Sequence, residues 1–194
     1  MRLLIMGPPG AGKGTQAVDL ATSIGGAHIS TGDMFRENLA NQTELGKLAQ
    51  SYMDAGQYVP DEVTNGMVRD RLAQPDAAAF VLDGYPRTAD QVAELDDILA
   101  SMGAKLDGVI SLVVADREEL VQRMIKRAET SGRADDTEEV IRKRQDVYDA
   151  ETAALVPIYA ERGILHEVDG IGSIDEVAAR IAGVVETLQT AAKA

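Results

Sequence analysis

The stretch Leu3–Ala17, LLIMGPPGAGKGTQA, sets a run of apolar residues against four glycines, two prolines and a lysine. A strand that merely turned into a helix over a hydrophobic core would need no such connection. Gly7, Gly12 and Lys13 fit the P-loop pattern G-x-x-x-x-G-K. In such a loop the glycines let backbone N–H groups point inward into an anion-sized nest. The following helix aims its positive dipole end at the same spot, and Lys13 adds a full charge. The strict pattern continues with Ser or Thr as a magnesium ligand. Here Gly14 stands at that position and Thr15 follows, so the hydroxyl must act from one residue later. A chance glycine-rich turn is disfavoured by its setting, an apolar strand before it and an amphipathic helix after it.

The chain has 194 residues, which suits one α/β domain with small insertions and a real core. It contains no cysteine, which removes disulfides, thiol chemistry and a cysteine zinc site. The opening apolar run is too short for a signal peptide. The later run Val109–Ala115 is far shorter than a membrane span. A soluble cytoplasmic protein is the expectation. The net charge of −13 argues against nucleic acid or an anionic membrane as the main partner. The basic residues are 13 arginines and six lysines, a bias that suits geometric recognition of phosphate.

Five apolar segments read as strands: Arg2–Met6, Ala27–Ser30, Ala79–Gly84, 108–115 and Gly163–Asp169. Their continuous apolar character suits a parallel sheet covered on both faces. Helices alternate with them, beginning with Lys13–Ile24. Asp116 with Glu119, and Ser173 with Glu176, read as capping boxes. The expectation is a five-stranded, doubly wound parallel α/β sheet flanked by helices, a P-loop NTPase. Ligands of such sheets bind beyond the carboxyl ends of the strands. Residues 30–59 break the alternation as a small helical insert, and Thr130–Asp136 is a short charged loop between two long helices.

Four segments carry polar groups at the expected strand ends. One is the P-loop. Another holds Thr31, Asp33 and Arg36. A third holds Asp83, Gly84, Arg87 and Gln91. The last is an arginine set: Arg123, Arg127, Arg133, Arg142 and Arg144. Asp83 ends an apolar strand with a carboxylate, as a P-loop NTPase requires to hold magnesium through water; a loop or cap aspartate is the competing reading. Arg123 and Arg127, four apart, share a helix face. Asp135 and Asp136 can pair with these arginines or cap the next helix with Glu139. Gln91 is by local pattern the end of a capping box begun by Thr88. His28 and His166 have no triad or metal pattern around them and read as structural. Tyr85-Pro86 is a candidate cis peptide.

The combination GPPGAGKGTQ, ISTGDMFR, GQYVPDE, LDGYPRTADQ and SGRADDTEEVIRKR resembles the adenylate kinases over nearly the whole chain. The glycine-then-threonine ending of the P-loop is usual in that family. The resemblance implies that Gly10, Ala11, Gly12, Lys13, Gly14 and Thr15 bind ATP phosphates, with Arg127 and Gly172 as further ATP contacts. Thr31, Arg36, Gln57, Tyr58, Val59, Gly84, Tyr85, Pro86, Arg87 and Gln91 match AMP-site positions. Arg123, Arg133 and Arg144 match active-site arginines, the last two on the AMP side and the transferring phosphoryl. Lys13, Arg87, Arg123, Arg133 and Arg144 are thus the expected catalytic set. Asp83, through water, and Thr15 are the expected magnesium site. The implied organisation is a single domain with a core of 1–29, 60–126 and 138–194, a nucleoside-monophosphate-binding insert of 30–59 and a short lid of 127–137. That lid has no zinc site. A monomer acting on ATP, AMP and ADP is expected.

The implied reaction needs no general base, because an AMP phosphate oxygen is already an anion. Its obstacle is the meeting of two polyanions, which arginines, Lys13 and magnesium offset. A UMP/CMP kinase is the nearest rival; Thr31 and Gln91 favour adenine, since pyrimidine-type kinases usually carry alanine and asparagine there. A GTPase-like switch should carry an N/T-K-x-D motif, and the chain has none.

Overall fold

Strands β1 (Arg2–Met6), β2 (Ala27–Ser30), β3 (Phe80–Asp83), β4 (Gly108–Val113) and β5 (Leu165–Asp169) form one sheet in the order β2-β3-β1-β4-β5. Every neighbouring pair is parallel. The computed structural model describes residues 1–131 and 137–192. Helices fill the crossovers: α1 (Lys13–Ser23), α2 (Thr31–Ala40), α3 (Glu44–Asp54), α4 (Asp61–Leu72), α5 (Ala89–Ser101), α6 (Arg117–Ser131), α7 (Glu138–Val147), α8 (Leu155–Glu161) and α9 (Ile174–Ala191). A π-helical turn, Tyr148–Thr152, separates α7 from α8.

Alternation along each strand divides the core into two layers. Leu3, Ile5, Val81, Ile110 and Leu112 pack with Ala17 and Leu20 of α1 and with Val177, Ile181 and Val185 of α9. Leu4, Met6, Ile29, Leu82 and Val109 pack with residues of α4, α5 and α8, among them Leu72, Leu95, Leu99 and Tyr159. Both faces are covered, so the strands read as continuous apolar runs, and each buried aliphatic side chain contributes about 1.5–3 kcal/mol of transfer free energy. Among the described residues, no helix is long and apolar enough to cross a membrane.

Phe35, Ala49 and Val59 form a small separate cluster, against which Val63 and Met67 of α4 also pack. The helices of the insert start on side-chain caps: Ser30 Oγ accepts from Asp33 N–H and Thr43 Oγ1 from Gly46 N–H. Helices α6 and α7 meet through Val121, Met124 and Ile141.

Some local expectations shift. Ser173 and Glu176 form the full capping box. Asp116 Oδ1 accepts from the N–H groups of Glu118 and Glu119, but the Glu119 carboxylate turns to Arg123 one turn on, so only half the box forms. Thr137 caps α7 by accepting from Val140 N–H; Arg133, Asp135 and Asp136 lie outside the described residues. Arg142 faces away from its expected cluster. It pairs with Glu118 and Glu138 on the outer surface, because residues two apart on a helix point to opposite sides and Arg144 takes the inner one.

Candidate active site at the strand carboxyl ends

The chain leaves β1 into the glycine loop, and that loop's conformation needs glycine. Gly10 has φ +87°, and a Cβ there would sit 2.5 Å from the Leu120 carbonyl oxygen of α6. A side chain would both strain the backbone and push α6 away. Gln145 of α7 is buried and donates from Nε2 to the Pro9 carbonyl at 2.7 Å, tying the loop to α7 across the cleft. Lys13 opens α1 and folds back over the loop, its Nζ donating to the carbonyls of Gly7 (2.6 Å) and Pro8 (3.0 Å). Burial depresses its pKa to about 8, against the pull of the Asp83 carboxylate, with Arg87 and Arg127 pushing the same way as burial. The ammonium therefore sits where an added anion would be strongly favoured.

A cavity of about 740 Å³ opens over these carboxyl ends. Its lining includes Gly10, Gly12, Lys13, Gly14 and Thr15 from the P-loop, Thr31 and Arg36 from α2, and Gln57, Tyr58 and Val59 beyond α3. It also includes Asp83, Gly84, Tyr85, Pro86, Arg87 and Gln91 after β3, Arg123 and Arg127 of α6, and Arg144 of α7. Tyr85-Pro86 is a cis peptide. Two expected residues stand apart. Ala11 turns its methyl into the core and gives its N–H to the Pro8 carbonyl. Gly172 lies in the loop between β5 and α9, outside this lining.

The charge balance of the lining is the reverse of the chain's. Lys13, Arg36, Arg87, Arg123, Arg127 and Arg144 face two lining carboxylates, Asp33 and Asp83, in a chain of net charge −13. Five separate segments contribute the six cations. Arg87 is partly buried, and that burial lowers its pKa from the usual arginine value. Its Nε donates to the Gly84 carbonyl at 2.7 Å and its guanidinium lies 4.9 Å from the Tyr58 ring centre. Its terminal nitrogens make no hydrogen bond among the described residues. Arg36 pairs with Asp33 at 2.6 Å. Arg123 pairs with Glu119 and donates to the Gly170 carbonyl. Arg144 reaches across to the Met53 carbonyl at the end of α3, at 3.4 Å.

Thr31 and Gln91 each hydrogen-bond to the Gly84–Arg87 segment. Thr31 Oγ1 donates to the Gly84 carbonyl at 2.8 Å. Gln91 is buried; its Oε1 accepts from Arg87 N–H and its Nε2 donates to Asp61 Oδ1, each at 2.7 Å. The cap expected from Thr88 is present, since Thr88 Oγ1 accepts from Gln91 N–H, yet the glutamine head goes to Arg87 rather than back to Thr88. One amide proton and one lone pair of Gln91 remain for a ligand.

Asp83 is buried at the carboxyl end of β3, and its oxygens accept no hydrogen bond among the described residues. His28 Nε2, 3.9 Å away, is likewise buried without a hydrogen-bond partner among the described residues. His28 also lines the cavity, although no catalytic or metal pattern in the sequence points to it. A carboxylate with no hydrogen bond from the described residues suits a hard cation that keeps most of its waters. Among the described residues no three His, Asp or Glu side chains gather into a metal cage. Thr152 and Tyr148 of the π-helical turn line the cavity too, as sequence reasoning did not foresee.

Comparisons with known proteins agree with this geometry. The adenylate kinase family profile matches residues 5–164. The chain is 59% identical over 182 residues to an adenylate kinase of Nocardioides sp., covering 93% of this chain and 95% of that relative. It is 59% identical over 180 residues to one of Leifsonia xyli, covering 92% and 90%. It is 58% identical over 186 residues to one of Kocuria rhizophila, covering 95% and 98%. With a P-loop, a parallel sheet and a cation-lined cavity in the expected places, the chain belongs to the adenylate kinase family.

Proposed function

We propose a division of labour within this cavity for the reaction of the family. As an adenylate kinase family member, the chain transfers the terminal phosphoryl group of ATP reversibly to AMP, giving two ADP. The P-loop from Gly10 to Thr15, with Lys13 and Arg127, holds the ATP phosphates, and Gly172 offers a backbone contact beyond them. Arg36, Arg87 and the backbone of Gln57–Val59 hold AMP, with Thr31 and Gln91 reading the base. Arg123, Arg144 and Arg133 act on the phosphoryl in transit. Asp83, through water, and Thr15 would hold magnesium, which supplies charge neutralisation on the phosphates of ATP when bound. Residues 30–59 and 127–137 serve as an insert and a short lid that close over the two nucleotides and exclude water, a competing acceptor. A monomer in the cytoplasm completes the reading.

The observation that carries it is the convergence of six cations from five segments in an acidic chain. An AMP phosphate oxygen needs no base to attack. Catalysis is then orientation plus charge stabilisation, which guanidinium forks supply in bidentate fashion. Titration calorimetry with AMP and with magnesium–ATP on the wild type and Arg87→Ala tests the assignment. AMP binding should fall by at least about tenfold, the worth of one charge-assisted contact, while ATP binding stays within twofold. Unchanged AMP binding would sink the AMP-side assignment.

A further inference from the structure

We propose that Thr152 is a positioning residue for Arg87, linking it through one hydroxyl to Tyr58 at the end of the insert. The proposal rests on the reading of Arg87 as an AMP-phosphate ligand.

Thr152 sits on the π-helical turn Tyr148–Thr152, a wider winding than an α-helix and one common at functional sites. It is buried, 5% exposed. A threonine hydroxyl has one proton and two lone pairs. The Arg87 backbone carbonyl, 2.9 Å away, can only accept, so the proton goes there. The Tyr58 hydroxyl lies 2.7 Å from the same oxygen and must therefore be the donor. That bond fixes the Tyr58 ring, whose face lies against the Arg87 guanidinium.

Arg87 is thus held at every point except the one a phosphate would use. Gln91 takes its backbone N–H, Thr152 supplies its carbonyl, Gly84 takes Nε and Tyr58 backs the guanidinium. Tyr58 belongs to the end of the insert and Arg87 to the core. Thr152 bonds to both, so the placement of the Tyr58 ring and the aim of Arg87 are coupled through it.

The test uses Thr152→Val, Thr152→Ser, Tyr58→Phe and the Thr152→Val/Tyr58→Phe double variant. The readouts are AMP and magnesium–ATP binding by calorimetry, KM and kcat for each substrate, and melting temperature. Thr152→Val should weaken AMP binding and raise the AMP KM by roughly tenfold, the effect of stranding a buried carbonyl beside the ligand. Magnesium–ATP binding should stay within twofold. Thr152→Ser should restore AMP binding. Tyr58→Phe should weaken AMP binding by a few-fold alone and add nothing in the Thr152→Val background, where its acceptor is already gone. Should Thr152→Val not fold, Tyr58→Phe carries the test: wild-type AMP binding in it overturns the proposal. So do wild-type AMP binding in Thr152→Val, equal losses for AMP and ATP, no rescue by serine, or additive effects. Arg87→Ala measured alongside separates the two readings. Loss there with none in Thr152→Val refutes the relay alone; no loss in Arg87→Ala refutes the AMP-side reading beneath it.

Discussion

Replacing Lys13 by methionine keeps the apolar stem and removes only the ammonium, so it isolates the charge. That ammonium is one of six cations on the cavity wall and the one that lies on the P-loop itself. Removing a single preorganised donor from a developing oxyanion costs about 10²–10³ in kcat. Lys13 brings a full charge in a partly dry site, so Lys13→Met should lose at least ~10²-fold in kcat, or about 2.7 kcal/mol of transition-state stabilisation. The depressed pKa adds a pH signature. In the empty enzyme Lys13 loses its proton at about 8, so wild-type kcat/KM for ATP should fall above pH 8, and the limb in kcat should lie higher because bound phosphate favours the charged form. Stability follows with the opposite sign. Below pH 8 folded and unfolded chains both carry the proton, and the folded state bears the whole cost of the buried charge. Between 8 and 10.5 the unfolded chain binds more protons, so wild-type stability gains with rising pH. The melting temperature of Lys13→Met, measured relative to wild type, should therefore decline from pH 7 to pH 10. Coupled-assay kinetics and thermal melts across that range read all three effects. Near-normal kcat in Lys13→Met, or a wild-type kcat/KM flat to pH 9.5, would refute the reasoning.

Two further outcomes follow from particular contacts. Thr31→Ala with Gln91→Asn should reduce AMP turnover and narrow the preference for AMP over CMP and UMP, read as kcat/KM ratios; an unchanged ratio would remove the base-reading role. Tyr159 is fully buried, yet its hydroxyl has no hydrogen-bond partner among the described residues. Tyr159→Phe should therefore leave stability unchanged or raise it by up to about 1 kcal/mol, and a loss above that by chemical denaturation would reveal a partner for the hydroxyl.

What could be read from the chain follows how local each signal is. The P-loop, the strand-ending Asp83 and the caps at Ser173 and Thr88 are short-range patterns, and the structure has them where the residues point. Arg142 and Arg144 carry the same charge two positions apart, and composition cannot tell them apart. Only the phase of α7, set by Ile141 packing on α6, turns Arg144 inward and Arg142 outward. Gln145 reaches a carbonyl 136 residues away, and Thr152 touches residues 65 and 94 positions away. Neither sits in a recognisable motif, because the chemistry of each exists only once the fold has brought its partners together. His28 is a similar case: the alanine and isoleucine beside it make it look like a strand residue, and only the register of β2 with β3, Ser30 opposite Asp83, puts it at the cavity.

The most direct measurement is product formation from ATP and magnesium with AMP, GMP, CMP and UMP offered separately, beside an ATP-only control. Formation of ADP chiefly with AMP, and almost none in the control, is the predicted result and gives Thr31 and Gln91 their role. Preference for CMP or UMP would keep the fold and the phosphoryl chemistry but contradict the base assignment. ADP formed equally in the control would contradict the transfer itself.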